Sequence, residues 1–252
     1  MALAEVHEAG VIEFLDREVL AEDDGRRQQL RWQLSSRKEV DNGALPFHRV
    51  IKERYHEQIR HIVSFSVDIG WHSRYVGVEL YNWEGIPVYF IDNEHYFGHA
   101  IYCGANFEGE QYAFFSRAVI DALPVIGFEP EIIHVNDWHT AMIPMLLQTQ
   151  YDQHPQGKSR TVLTIHNLGY QGRFDFGYAA HLLGLDDKYF HQDYIEFHGD
   201  ANFLKAGIVF SDPRKRGILN ELVHPYVFLE WHDHLEKIAR QQKNSIILAA
   251  VT

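Results

Sequence analysis

Residues 131–174 read EIIHVNDWHTAMIPMLLQTQYDQHPQGKSRTVLTIHNLGYQGRF, and the fold is decided there. Ile132, Ile133 and Val135 form a short apolar run that stops at Asn136 and Asp137. A mostly apolar segment, His139 to Gln150, follows at the length of one helix. A polar break from Asp152 to Arg160 then leads into a second short run, Thr161 to Ile165. Strand, helix, strand is a βαβ unit, with a right-handed crossover and parallel strands. Ligands of such sheets bind at the carboxyl ends of the strands. Both strands end in polar side chains, Asn136 and Asp137 after the first, His166 and Asn167 after the second. The pattern predicts two neighbouring strand ends that aim a carboxylate and an imidazole at one crevice.

Outward from this unit, the odd positions Ile59, His61, Val63, Phe65, Val67 and Ile69 alternate with period two, the mark of a half-buried strand. Arg74 to Tyr81 and Ile86 to Ile91 are two more strands around Asn82-Trp83-Glu84-Gly85. Asp92 to Glu108 reads as a loop rich in aromatics, Tyr96 among them. Tyr112, Phe115, Val119, Ile120 and Leu123 share one helical face, and that helix ends near Pro124. Pro144 lies inside the expected central helix, which must lack one hydrogen bond or begin late. Ala179 to Leu185 reads as a short helix, and Ala201 to Phe210 as a helix or strand. Ala2 to Glu39 looks helical and charged, Asp41-Asn42-Gly43 is a turn signal, and the tail from Pro213 is basic and then amphipathic. The expected organisation is a charged segment over residues 1–40, an α/β domain with a mostly parallel sheet over 41–212, and a distinct tail over 213–252.

Composition excludes several classes. The chain has 252 residues, 46% hydrophobic and 23% charged, which describes an ordinary globular protein. A net charge of −12 argues against nucleic acid and anionic membranes as partners, since both require clustered Lys and Arg. One cysteine, Cys103, leaves no internal disulfide and suits a reducing compartment. No apolar run spans a bilayer, and the acidic N-terminus does not read as a signal peptide. The expected location is the cytoplasm. No glycine-rich fingerprint for a dinucleotide or phosphate is present, and no cofactor is implied.

Each polar group at the strand ends has two readings. Asp137 contacts a bound hydroxyl, or Asn136 or Asp137 caps the following helix. His166 bonds to a ligand, or to a backbone carbonyl. His134, Asp137 and His139 spell H-x-x-D-x-H, a metal pattern whose members fall on different elements. Trp138, Tyr170 and Phe174 offer ring faces to a sugar, or pack in the core. Lys205 meets an anion or lies along a helix with its charge in water.

Taken together, His134-x-Asn136-Asp137-Trp138-His139-Thr140 with Pro144, and Thr164-Ile165-His166-Asn167-Leu168-x-Tyr170-Gln171-Gly172, resemble the bacterial glycogen synthase and plant starch synthase family. Tyr89-Phe90-Ile91-Asp92-Asn93 with Tyr96-Phe97, Phe114-Phe115-Ser116-Arg117-Ala118, and Asn202-Phe203-Leu204-Lys205-Ala206-Gly207 fit the same family in the same order. The resemblance implies one Rossmann-like half of a GT-B glycosyltransferase. Such enzymes transfer glucose, with retention and without a metal, from a nucleotide sugar such as ADP-glucose to the non-reducing end of an α-1,4-glucan. By position, His166 would contact the transferred glucosyl group and Asp137 the reacting sugars. Trp138, Asn167, Tyr170, Gln171, Tyr96 and Asn202 would line the substrate site. The family's Lys-x-Gly-Gly-Leu loop, which holds the donor diphosphate, has no counterpart before Leu45. The tail after Asp212 does not match the start of the family's second domain. The sequence therefore reads as an N-terminal catalytic half, not competent without a separate C-terminal domain. The competing readings are an inactive glucan-binding or structural remnant and, more remotely, a metal-dependent hydrolase.

Overall fold

The computed structural model describes residues 12–14, 42–83, 86–99 and 103–211. Its centre is a seven-stranded sheet made of β1 (Ile12–Phe14), β2 (Asn42–Pro46), β3 (Arg60–Ile69), β4 (His72–Trp83), β5 (Ile86–Asp92), β6 (Ile132–Asn136) and β7 (Arg160–Thr164), in the spatial order β3-β4-β5-β2-β1-β6-β7. β2 pairs parallel with β5 and β6 with β7, while β3-β4-β5 is an antiparallel meander. β1 lies antiparallel to both β2 and β6. Following these directions across the sheet, β3, β5, β2, β6 and β7 all run one way. The class is α/β, and the βαβ unit of residues 131–165 forms as its pattern predicts.

Helices α1 (Arg49–Tyr55), α2 (Glu94–Phe97), α3 (Ala105–Val125), α4 (Asp137–Thr140), α5 (Met142–Thr149), α6 (Phe176–Leu183) and α7 (Phe203–Phe210) complete the layers. The predicted face of α3, with Tyr112, Phe115, Val119, Ile120 and Leu123, is buried throughout. That helix carries the main core, into which β3, β4 and β6 send Val67, Ile69, Val76, Val78, Ile133 and Val135. A smaller cluster of Phe47, Ile51, Val88 and Phe90 packs separately, with Tyr55 and Tyr81 at its rim. A small second sheet, β8 (Arg173–Asp175), β9 (Glu196–Phe197) and β10 (Asp200–Asn202), leads into α7.

Several expectations are corrected. Ile12–Phe14, expected in a charged helix, is a strand, because backbone groups of β2 and β6 that face one another need partners and this segment supplies them. It joins the sheet of the domain assigned to residues 41–212. The rest of the helical reading of residues 2–39, and the tail from Pro213, fall outside the described residues. The turn signal at Asn42-Gly43 lies in β2. The aromatic loop after Asp92 contains α2 and the start of α3, with Asn93 capping α2 by accepting the Tyr96 N–H at 3.2 Å. The central helix is split at Ala141, and α5 begins late, so that Pro144 stands in its first turn where no intrahelical donor is lost. Residues 201–210 are both of the predicted things, the end of β10 and then α7. Among the described residues, no helix is long and apolar enough to cross a membrane.

Two core histidines stand out. His48, after β2, is 0% exposed, and His139, in α4, is 5% exposed. Among the described residues, neither ring nitrogen of either has a hydrogen-bond partner. Their neighbours are aromatic: Phe97 lies edge-on to His48 at 5.4 Å, and Tyr112 edge-on to His139 at 4.6 Å. Burial pushes His48 from 6.5 down to about 4. Burial, with His48 nearby, pushes His139 down to about 3. Both rings are neutral in the folded protein at neutral pH, whereas the unfolded chain takes up protons below pH 6.5. Their contribution is therefore complete above that value and falls as the pH drops toward 4 for His48 and 3 for His139. Each should remove about 1.4 kcal/mol of stability per pH unit within its window. Denaturant unfolding at pH 7, 6 and 5, with His48→Leu alongside, should show the variant losing stability less steeply by one proton's worth. Equal slopes would mean that His48 titrates in the folded protein as it does in the unfolded chain.

Candidate active site at the strand ends

β6 ends at Asn136 and β7 at Thr164, and these two residues are register partners. This register brings the loop after β7 over the first turn of α4. Asp137 Oδ1 accepts the backbone N–H of His166 at 2.7 Å and that of Asn167 at 3.2 Å. Asn136 Oδ1 lies 3.0 Å from His166 Nε2. An amide oxygen can only accept, so the imidazole proton sits on Nε2 and Nδ1 is left as an acceptor. Neither Asn136 nor Asp137 acts as a side-chain cap; Asn136 is the N-cap residue of α4 without a capping bond. Thr140 Oγ1 instead bonds both the N–H and the carbonyl of Asn136 at 2.8 Å. Asp137 has φ of +55°, a left-handed conformation that Asp tolerates better than most residues.

The loop is anchored from below. Asn167 Oδ1 accepts the Gly169 N–H at 2.9 Å, closing a tight turn. Gly172, at φ +61°, lies so close to the Trp138 indole that an added Cβ would come within 2.4 Å of it. Phe203 and Leu204, at the start of α7, donate their N–H groups to the carbonyls of Gly172 and Gln171. Asn202 caps α7 by accepting the Lys205 N–H at 2.9 Å and donates Nδ2 to Gln171 Oε1 at 2.7 Å. Gln171 in turn donates to the Leu168 carbonyl at 3.0 Å.

The structure thus brings Asp137, His166, Asn167, Gln171 and Asn202 together. His166 and Asn167 are exposed, and Tyr170 is 70% exposed on the same loop. The other candidates lie inside. Trp138 is 5% exposed and packed against Tyr112, His139 and Phe174, so its ring and that of Phe174 serve the core and not a sugar. Tyr96 is 0% exposed and donates its hydroxyl to Glu110 at 2.6 Å. Asn202, at 2% exposure, acts on the site through Gln171. Lys205 Nζ donates to the carbonyls of Gln192 and Glu196. The metal pattern disperses: His134 Nε2 lies 2.7 Å from Thr164 Oγ1, Asp137 faces the loop amides, and His139 faces the core. Among the described residues, no three His, Cys, Asp or Glu side chains are grouped to hold a metal.

Other motif residues prove to be supports. Asp92 pairs with Lys52 at 2.6 Å, Asn93 Nδ2 donates to the Tyr75 carbonyl at 2.7 Å, and Arg117 binds Gln150 Oε1 at 2.7 Å and the Leu183 carbonyl at 2.9 Å. Asn136, read from the sequence as a candidate helix cap, is instead the partner of His166. Its signal was its place as last residue of the strand.

The Asp137 carboxylate accepts two loop amides, so Asp137→Ala should destabilise the protein by about 3 kcal/mol, the scale of two lost hydrogen bonds to a charged group. Amide exchange at His166 and Asn167 should accelerate more than elsewhere. Unchanged protection at both amides would show that the loop is held by its contacts to α7 alone.

With this geometry in place, the likenesses to known proteins take on meaning. A model of the starch synthase catalytic domain matches residues 35–226. The glycogen synthase of Caldicellulosiruptor saccharolyticus is 45% identical over 169 residues, 67% of this chain and 35% of that protein. The glycogen synthase of Clostridium acetobutylicum is 37% identical over 203 residues, 79% of this chain and 42% of that protein. Among solved structures, the catalytic domain of Starch Synthase IV from Arabidopsis thaliana, bound to ADP and acarbose, gives a TM-score of 0.60 at 25% identity, covering 67% of this chain and 36% of that one. The matched region holds both strand ends and every motif residue described above, although the chain spans only about a third to two-fifths of the length of these relatives. By the family model, the strand-end motifs and the fold alike, this chain belongs to the starch synthase catalytic domain family.

Proposed function

We propose that this chain is the acceptor-side half of a retaining glucosyltransferase, which moves glucose from a nucleotide sugar to the non-reducing end of an α-1,4-glucan. ADP-glucose is the donor that the Arabidopsis relative's bound ADP favours. The observation that carries the reading is the exposed His166, held by Asn136 at the end of one strand above a loop fixed by Asp137. In this reading His166 Nδ1 accepts a hydrogen bond from a hydroxyl of the transferred glucosyl group, and Asn167, Tyr170 and Gln171 contact sugars at the crevice. Asp137, Trp138, Tyr96 and Asn202 act by holding that surface in place. The single cysteine, Cys103, is an exposed free thiol, and we place the protein in the cytoplasm.

Transfer builds positive charge on the sugar and negative charge on the departing diphosphate. Catalysis needs fixed donors or cations aimed at that diphosphate. The strand-end groups are one carboxylate, one imidazole and amides, and Lys205 is committed to two carbonyls. β1 runs against β2 and β6, so its carboxyl end lies at the sheet edge away from Asp137 and His166. We infer that a separate C-terminal domain supplies the diphosphate site.

The assay is incorporation of labelled glucose from ADP-glucose into glycogen, by the chain alone and with a separately made C-terminal glycosyltransferase domain. The chain alone should not exceed a no-protein control, and the mixture should elongate. His166→Ala should lower the mixture's rate at least tenfold, about 1.4 kcal/mol, with the Tm nearly unchanged because the ring is exposed. Elongation by the pure chain, abolished by His166→Ala, would place a phosphate site within this sequence. No elongation in any mixture, with oligosaccharide binding retained, would favour a glucan-binding remnant.

A further inference from the structure

We propose that the tip of the β3–β4 hairpin is a second carbohydrate site, with Trp71 as a stacking platform for an α-1,4-glucan chain away from the strand-end crevice. This rests on the reading that the protein's acceptor is a glucan. Trp71 is 79% exposed, the most exposed of the large hydrophobic side chains among the described residues. Indole is costly to leave in water, since Trp is highly buried on average. Yet this ring is held in place. Its Nε1–H donates to His72 Nε2, and its edge rests against the His181 ring of α6 at 4.7 Å and 63°.

The turn beneath is fastened as well. Gly70 sits at φ +59° and donates its N–H to the Leu182 carbonyl of α6 at 3.1 Å. A Cβ on Gly70 would approach His181 Nε2 to 2.5 Å, so glycine gives both the turn and the room for the histidine. A two-residue turn does not need such ties to close a hairpin. Their effect is a rigid, exposed aromatic face, which loses little conformational freedom when a ligand lies on it.

The chemistry of the face selects the ligand. A pyranose ring presents apolar C–H faces and a rim of hydroxyls, so it can stack on indole and hydrogen-bond at the edge. His72 Nε2 accepts from the indole, so in this arrangement the His72 proton lies on Nδ1, a donor beside the platform. His181 is also exposed. The neighbouring cation, Arg74, is paired with Glu110 at 3.0 Å and so is not free to recruit a phosphate or nucleic acid. A neutral, ring-built polymer fits.

Position separates this site from the first. β3 runs in the same direction as β6 and β7, so Trp71 stands on the same side of the sheet as Asp137 and His166. It is at the opposite edge, however, six strand spacings from β7. At the usual spacing between strands this is roughly 29 Å. One sugar cannot touch both places, and an extended glucan can. The platform would therefore hold a branch of the polymer rather than the reacting residue.

The test is affinity electrophoresis of the full 252-residue chain in native gels containing glycogen, with Trp71→Ala, Trp71→Phe and His166→Ala. Glycogen should retard the parent chain. Trp71→Ala should raise the apparent Kd at least fivefold with an unchanged Tm, and Trp71→Phe should retain part of the binding. His166→Ala should leave the Trp71-dependent part intact, and maltoheptaose should compete better than maltose. Retardation of Trp71→Ala equal to the parent's, or no retardation of the parent, would overturn the proposal. So would a changed gel-filtration volume in Trp71→Ala with unchanged glycogen binding, which would make the indole a contact between copies. The transfer assay is judged apart. Trp71-dependent binding with no transfer even in the mixture with the C-terminal domain would sink the glucosyltransferase reading and leave the platform, and transfer by the mixture with Trp71-independent binding would do the reverse.

Discussion

The site depends on one carboxylate. Asp137 Oδ1 receives the N–H groups of His166 and Asn167 and so ties the end of β7 to the start of α4. To do this Asp137 adopts a left-handed backbone at φ +55°, which costs on the order of 1 kcal/mol or somewhat more. Two hydrogen bonds to an ionised acceptor, each about 1.5–3 kcal/mol net, outweigh that strain. Glycine would relieve the strain and remove the acceptor. The residue is therefore constrained twice, by conformation and by charge, and the orientation of His166 follows from it.

The supports spread outward in a definite order. Gly172 lies directly on Trp138, and the carbonyls beside it receive the first amides of α7. Gly207 of α7 in turn comes close enough to Ala141 that an added Cβ would stand 2.7 Å from the Ala141 Cβ. Trp138 and the junction between α4 and α5 thus lie under the loop that carries His166. A short polar loop is held at a rigid floor of aromatic and small residues, and the exposed groups need no packing of their own. Other motif residues, Tyr96, Asp92 and Arg117, lie in the interior or in structural hydrogen bonds and ion pairs.

Much of this was legible in the sequence, for reasons that particular residues make clear. Alternation from Ile59 to Ile69 is a local record of a two-faced environment, and β3 followed from it. The two runs ending in Asn136-Asp137 and His166-Asn167 needed only the rule that parallel strands expose their carboxyl ends together. Trp138 and Tyr170 could not be told apart, because burial and sugar stacking draw on the same ring chemistry, and only the fold turned one inward and the other out. The Asn136–His166 contact depends on the register that sets Asn136 opposite Thr164, a long-range choice with no local signature. Ile12–Phe14 became a strand because a gap between β2 and β6 had to be filled, a demand invisible in its own charged surroundings. Trp71 carries no sequence signal of its own, since its contact with His181 appears only when α6 packs on the hairpin.

That filled gap also bears on the chemistry of the strand ends. A sheet whose strands all ran one way would bring the loop after its central strand to the ligand-binding edge, where backbone N–H groups can face an anion. Here the strand between β2 and β6 is reversed, and what its neighbours present at that edge is different in kind. Past β2 stands His48, neutral and buried, and past β6 stands His139, likewise neutral and buried. Beside them the carboxylate of Asp137 already holds two amides. These two imidazoles, buried and neutral, offer an incoming diphosphate no cation, and the carboxylate offers it none either. In the proposed reading a neutral sugar would meet the exposed Nδ1 of His166, the side chains of Asn167 and Gln171, and the ring of Tyr170. The electrostatics of these strand ends therefore favour hydroxyl groups over phosphates.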